Sequence, residues 1–117
     1  MRIVTASAGN HAQGVAYAAR ERGAKATICM PQITPPLKVD ATKAYGADVV
    51  LCGEVFDESA AHAQELSDTE GMIYVPPFDD YEVLCGQGTI GLEILEDVPN
   101  VTDVVVPLGG GGLGAGV

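Results

Sequence analysis

The sequence predicts an α/β fold of three layers, with helices on both faces of a parallel sheet. Short β-branched runs recur at residues 3–5, 26–30, 48–51, 72–75 and 103–107, each too short for a helix and apolar almost throughout, as a strand covered on both faces must be. The stretches between them are long enough for crossover helices, and a βαβ series implies parallel strands with right-handed connections. Composition agrees: 47% of the residues are hydrophobic, yet Trp is absent and there are only 2 Phe and 4 Tyr. Val, Ile, Leu and Ala are left to fill the core, which suits a buried sheet.

Taken in order, the first strand runs into Ser7-Ala8-Gly9-Asn10-His11-Ala12-Gln13-Gly14, a turn into the first helix. Free backbone N–H groups at such a turn face outward, and the helix dipole favours an anion there. Ser7 and Asn10 add side-chain hydrogen bonds, and Gly9 lets a ligand approach the backbone. The turn reads either as a carboxylate or phosphate cradle or as an ordinary capped helix start. Further on, Gly23-Ala24-Lys25-Ala26-Thr27-Ile28-Cys29 parallels Gly46-Ala47-Asp48-Val49-Val50-Leu51-Cys52; in each copy a glycine closes a helix and a strand begins. Two copies indicate successive βα units of one sheet, not a solenoid. Between them, Thr34 and Pro35 read as an N-cap followed by proline at the first helical position, with Gly46 as the stop. The next helix spans about residues 57–70 and ends at Gly71, with Asp57 and Glu58 as helix-start charges.

After the fourth strand, Pro76 and Pro77 followed by Asp79 and Asp80 read as a loop and an N-cap in preference to general acid/base groups. Val83, Leu84, Ile90, Ile94, Leu95 and Val98 then fall mostly on one stripe of a helix that ends before Pro99. Within it, residues 87–89 either line a cleft or relieve crowding at a helix crossing. The strand 103–107 leads into Gly109-Gly110-Gly111-Gly112-Leu113-Gly114. Four consecutive glycines are costly in chain entropy for a mere turn. A nest of N–H groups around a phosphate, opening a helix near Leu113, explains them better than a flexible linker does.

The net charge of −10 arises from 16 acidic and 6 basic residues, the latter scattered, which makes nucleic acid and anionic membranes poor partners. No apolar stretch has the length of a signal-peptide core or a membrane span, so a cytoplasmic protein is expected. Cys29, Cys52 and Cys85 are odd in number, with no C-x-x-C pair and no histidine at metal-ligand spacing; reduced core thiols and no metal site are expected. His11 serves either a ligand or local packing, and His62, in an Ala-rich helix, reads as surface or satisfied core. At 117 residues the chain has the length of one domain.

Three strings resemble the threonine ammonia-lyases (threonine dehydratases) of the fold-type II pyridoxal-phosphate enzymes, a group that also includes serine racemase. They are Thr5-Ala6-Ser7-Ala8-Gly9-Asn10-His11-Ala12-Gln13-Gly14, Gly86-Gln87-Gly88-Thr89-Ile90-Gly91-Leu92-Glu93 and Pro107-Leu108-Gly109-Gly110-Gly111-Gly112-Leu113, in the family's order and across essentially the whole chain. The resemblance implies the Rossmann-like small domain of that family over residues 1–75. Residues 76–117 are then a returning helix, strand and phosphate loop that belong partly to a larger domain.

By the same resemblance, Ser7, Ala8, Gly9, Asn10 and His11 hold an amino-acid substrate's carboxylate, and Asn10 also meets the pyridoxal 3′ oxygen. Gly109, Gly110, Gly111, Gly112 and Leu113 hold the cofactor phosphate. The implied reaction is β-elimination from threonine or serine to a 2-oxo acid and ammonia, in amino-acid metabolism that includes isoleucine biosynthesis.

The family's cofactor-bearing lysine lies in a Ser-Phe-Lys-like segment that has no counterpart here, and Lys25, Lys38 and Lys43 stand in other contexts. No catalytic residue is therefore expected in the chain, which reads as an inactive fragment of such an enzyme. Ala8 stands where serine racemases carry a second serine, and a methyl group transfers no proton; this favours a lyase over a racemase-like or other fold-type II relative. The strand 103–107, separated from a larger sheet, offers an apolar edge expected to self-associate with another copy or to dock on the small domain's own sheet. The rival from another class is a Rossmann-type nucleotide-binding module with Gly110-x-Gly112 as a degenerate fingerprint, weakened because no ribose-binding acid follows.

Overall fold

Four of the five expected strands form and pair in the computed structural model, which describes all residues from Met1 to Val117. β1 (Arg2–Ala6), β2 (Lys25–Met30), β3 (Asp48–Leu51) and β4 (Ile73–Tyr74) make one all-parallel sheet in the order β3-β2-β1-β4. The chain divides into two compact units, Met1–Val75 and Pro76–Val117, where length alone suggested one.

In the first unit the two-residue period of the strands builds a core on each face of the sheet. Ala26, Ile28 and Met30 of β2 point to α1 (Asn10–Glu21) and α2 (Pro36–Ala44), where Ala12, Ala16, Ala19 and Val39 meet them. Val4 and Ala6 of β1 and Cys29 of β2 point the other way, to Ala63 of α3 (Phe56–Glu70) and Met72. Helices thus cover both faces, in three layers. The α1 contacts are alanines, so the helix lies close on the strands and the larger β2 side chains fill the gap.

Most helix ends follow the sequence signals. Gly46 (φ +87°) and Gly71 (φ +67°) adopt the left-handed conformation that closes α2 and α3. The start of α2 differs by one position: Pro36 is its first residue, and Pro35 is the cap at φ −55°, ψ 137°. A residue that precedes proline is driven out of the helical region, so Pro36 forces Pro35 to remain extended. Thr34 is therefore not the cap, and its hydroxyl donates to the Pro31 carbonyl at 2.7 Å.

The second unit holds α4 (Tyr81–Asp97) and α5 (Gly112–Gly116). Asp80 caps α4 as expected, its Oδ1 accepting from the Val83 amide at 3.1 Å. Gly88 and Gly91 of α4 lie where an added Cβ would come within 3.1 Å of the Gly116 carbonyl oxygen and 2.9 Å of the Val117 oxygen. The glycines of this stretch therefore serve a close helix crossing, the second of the two readings above. The fifth expected strand, 103–107, does not form. A strand needs a partner for its amides and carbonyls, and the second unit contains no other strand. Val105 is accordingly 97% and Leu108 85% exposed. The apolar stripe of α4 is only partly covered: Val83, Leu84 and Ile94 are half-buried, whereas Leu95 is 57% exposed. No helix of the chain is long and apolar enough to cross a membrane.

Candidate functional site

The strand order places one position apart from the rest. From β1 the chain moves outward through β2 to β3, then returns to lay β4 on the other side of β1. Open α/β sheets place ligand crevices at the carboxyl ends of the strands where the order reverses in this way. Residues 7–11 follow β1 at that reversal.

Ser7 is buried and its amide donates to the Cys29 carbonyl at 3.1 Å, which ties the loop to the end of β2. Its Oγ accepts from the Gly9 and Ala12 amides, each at 3.2 Å. Ser7 thus caps α1 from two residues before Gly9, the residue at the N-cap position, which offers no side chain for the task. With both N–H groups taken up, the hydroxyl proton is what Ser7 can still give to a ligand. The next two amides in the first turn, those of Asn10 and His11, have no acceptor in the chain. The Asn10 carboxamide is exposed and likewise unbonded within the chain. Gly9 has nothing within 4 Å of where a Cβ would stand. The turn is a capped helix start that also leaves an open cluster of donors at the positive end of a 12-residue helix. Ala8, half-buried, contributes a methyl group and no proton donor.

His11 is held by a residue to which the sequence analysis gave no role. The buried Thr5 hydroxyl stands 2.6 Å from the Val75 carbonyl and 3.1 Å from His11 Nε2. Its one proton goes to the carbonyl, which can only accept, so His11 Nε2 must carry hydrogen and donate to Thr5 Oγ1. That fixes the tautomer and leaves the lone pair on Nδ1. Burial lowers the His11 pKa below its ordinary 6.5, opposed by the Val75 carbonyl, which raises it. A hydroxyl residue in the buried half of β1, six positions before the histidine, is the signal that could have found this tie.

A pH dependence follows. The unfolded chain takes up the histidine proton as pH falls through 6.5, and the folded chain does so only at lower pH. Stability is therefore full above pH 6.5 and declines below it until the folded His11 titrates. The opening free energy of β1 and β2, from amide hydrogen exchange corrected for intrinsic rates, should fall from pH 7.5 to 5.5 in the parent and fall less in His11→Gln; equal slopes would show that His11 is not kept neutral by the fold.

The second loop is self-contained in the other unit. Gly111 caps α5 at φ +91°, a backbone that only glycine adopts without strain. At Gly110 an added Cβ would overlap the Phe78 ring at 2.5 Å, and at Gly112 it would press on the Phe78 Cβ at 3.1 Å. Three of the four glycines thus have a conformational or packing reason. Gly109 has neither: its φ is not positive and nothing stands within 4 Å of its Cβ position. The amides of Gly112, Leu113 and Gly114, in the first turn of α5, have no backbone acceptor in the chain. Bare backbone and unpaired donors suit a phosphate.

The cysteines depart from expectation. Cys29 is buried, with burial and then the neighbouring Cys52 pushing its thiol up to about 12, and Cys52 is half-buried, but Cys85 is exposed and is not a core residue. The Cys29 and Cys52 sulfurs and a ring nitrogen of His62 lie within 4.8 Å of one another, a convergence that the spacing in the sequence did not suggest.

Comparison with known proteins gives these loops a family. The family model described as "Pyridoxal-phosphate dependent enzyme" matches residues 1–117. The L-threonine ammonia-lyase of Geobacter sulfurreducens is 55% identical over 98% of this chain and 29% of its own length. The catabolic L-threonine dehydratase of Staphylococcus aureus is 56% identical over 98% of this chain and 33% of its own. The structure of the processed form of threonine deaminase isoform 2 from Solanum lycopersicum superposes with a TM-score of 0.91 at 54% identity, covering 98% of this chain and 32% of that one. The chain therefore spans about a third of the length of these relatives.

Proposed function

We propose, from the premise that this chain belongs to the pyridoxal-phosphate-dependent enzyme family, that it supplies the substrate-carboxylate and cofactor-phosphate loops of a threonine or serine ammonia-lyase. The observation that carries this reading is the pair of unpartnered amides at Asn10 and His11, at the carboxyl end of β1 where the strand order reverses. The residues present fit the cofactor. Gly109, Gly110, Gly111, Gly112 and Leu113 offer bare backbone donors to its phosphate, and Asn10 offers a carboxamide to its 3′ oxygen. When bound, pyridoxal phosphate supplies an electron sink for breaking the bonds at an amino acid's α-carbon.

What the chain's own residues do is bind and orient. Ser7, through its remaining proton, and the Asn10 and His11 amides hold the carboxylate, which fixes the direction of the Cα–H bond, a positional effect. Ala8 holds no proton to deliver to the opposite face of the substrate, which favours elimination over racemisation. The same reading puts residues 1–75 in a small domain and lets residues 76–117 belong partly to a larger one, in a cytoplasmic enzyme of amino-acid metabolism, isoleucine biosynthesis included.

The test is a graft. Placed in the Geobacter enzyme in lieu of the segment it matches, this chain should retain threonine deamination. Asn10→Ala should lower kcat/KM by about 10- to 100-fold, the cost of a hydrogen bond to a charged group. Gly109→Ala meets no atom, so it should leave stability unchanged and weaken cofactor retention. Gly111→Ala should cost about 1 kcal/mol of stability through its positive φ. A graft that folds and holds cofactor without acting on threonine or serine would overturn the reading.

The exposed run around Val104, Val105 and Leu108 further supports self-association of the isolated chain, through apolar side chains and unpaired backbone. Sedimentation velocity should show mass rising with concentration, abolished by Val105→Lys. A monomer at all concentrations would exclude it.

A further inference from the structure

We propose that Cys29, Cys52 and His62 form a binding site for a thiophilic divalent cation, zinc by its preference for mixed sulfur and nitrogen ligands. The three come from different elements: Cys29 from β2, Cys52 from the residue after β3 and His62 from α3. Cys29 pairs with Val50 across the parallel ladder, so Cys52, two residues beyond Val50, returns to the same face of the sheet. Ser59 draws α3 onto that end, its hydroxyl donating to the Cys52 carbonyl at 2.7 Å, and His62 lies one turn further along the helix.

The ligand atoms all lie within 4.8 Å of one another, against about 3.5 to 3.8 Å between ligands of a tetrahedral zinc. Side-chain movement on the order of 1 Å closes the site. His62 Nδ1 stands 3.3 Å from Glu65 Oε2. A carboxylate only accepts, so Nδ1 carries the proton and Nε2 the lone pair, the carboxylate–histidine arrangement that orients metal ligands. Half-buried Cys52 and His62 leave a path for the ion. Binding one cation by two thiols releases two protons to solvent and forms two metal–sulfur bonds and one metal–nitrogen bond. A fourth position remains for water.

This inference is independent of the proposed lyase function and can fail without it. The experiment is titration of the 117-residue chain with Co²⁺ under a phosphine reductant, followed by displacement with Zn²⁺. Expected are sulfur-to-cobalt charge-transfer bands and the intense visible bands of a tetrahedral site, at one ion per chain and lost on zinc addition. Cys85→Ser should keep them, Cys52→Ser and His62→Gln should abolish them, and Glu65→Gln should weaken binding by about 10- to 100-fold. Because Cys29 is in the core, the decision rests on Cys52→Ser and His62→Gln, each with its helix content verified by circular dichroism. Absence of the bands in the folded parent, their persistence in either folded variant, or their loss in Cys85→Ser would overturn the proposal.

Discussion

Incubated with pyridoxal phosphate and threonine, the 117-residue chain should release no 2-oxobutyrate above the rate of the free cofactor. Borohydride reduction should label no single lysine stoichiometrically. In this chemistry a lysine supplies both the covalent anchor and the base that moves the α-proton. The chain has three lysines, and the fold keeps each from the turn at residues 7–11. Lys25 stands opposite Arg2 at the amino end of the sheet, about 15 Å along β1 from that turn at roughly 3.3 Å per residue. Lys38 and Lys43 are exposed on α2, which packs on β3 at the edge remote from β4. The turn itself offers no substitute. Ala8 is a methyl group, Asn10 does not titrate, and His11 holds a lone pair at Nδ1 without a covalent anchor to join substrate and cofactor. Weak anion binding should survive, since exposed helix-end contacts are each worth about 0.3 to 1 kcal/mol. Turnover together with stoichiometric labelling of one lysine, mapped by mass spectrometry, would contradict the assignment of the loops as binding elements only.

The parts of the fold that were legible in the sequence are those decided locally. β1, β2 and β3 announced themselves by β-branched runs, and α3 by its charged start and by Gly71 at its end. Where a second residue intervened, the reading slipped: Pro36 displaced Thr34 from the cap of α2. Where the outcome depended on neighbours, it failed. The run 103–107 has the composition of a strand but no partner in the second unit, and Cys85 sits on an α4 face that nothing in the unit covers.

The candidate site divides in the same way. The donors at residues 7–11 could be read from a strand turning into a helix, and the glycine loop from its composition. The Thr5 tie to His11 and Val75 could not, because it depends on β4 arriving beside β1. The meeting of Cys29 with Cys52 was latent in the repeat, whose two copies each end in cysteine. That repeat read as adjacent strands would have brought the sulfurs to one face; only His62 required the packing of α3.

Ile28→Ala should destabilise the first unit by about 3 to 4 kcal/mol, toward the upper part of the range for buried aliphatic truncations. Ile28 is fully buried in β2, an interior strand of the sheet. The surrounding core includes Ala12, Ala16, Ala19 and Ala26, whose side chains have no rotamer with which to fill the space. The cavity therefore persists, and its cost adds to the lost transfer energy of the removed carbons. A unit of this size is stable by only about 4 to 11 kcal/mol in all, so a substantial unfolded fraction should appear. Leu92→Ala in α4 removes comparable apolar volume from a side chain 64% exposed and should change stability by no more than about 0.5 kcal/mol. With two units, a single unfolding curve mixes two transitions. The measurement is therefore amide hydrogen exchange of β1 and β2, which reports the opening of the first unit alone. Protection there should fall by a factor of 100 or more in Ile28→Ala, about 1.4 kcal/mol for each tenfold, and remain unchanged in Leu92→Ala. If both substitutions lowered it equally, the core would not be divided as the burial of these two residues requires.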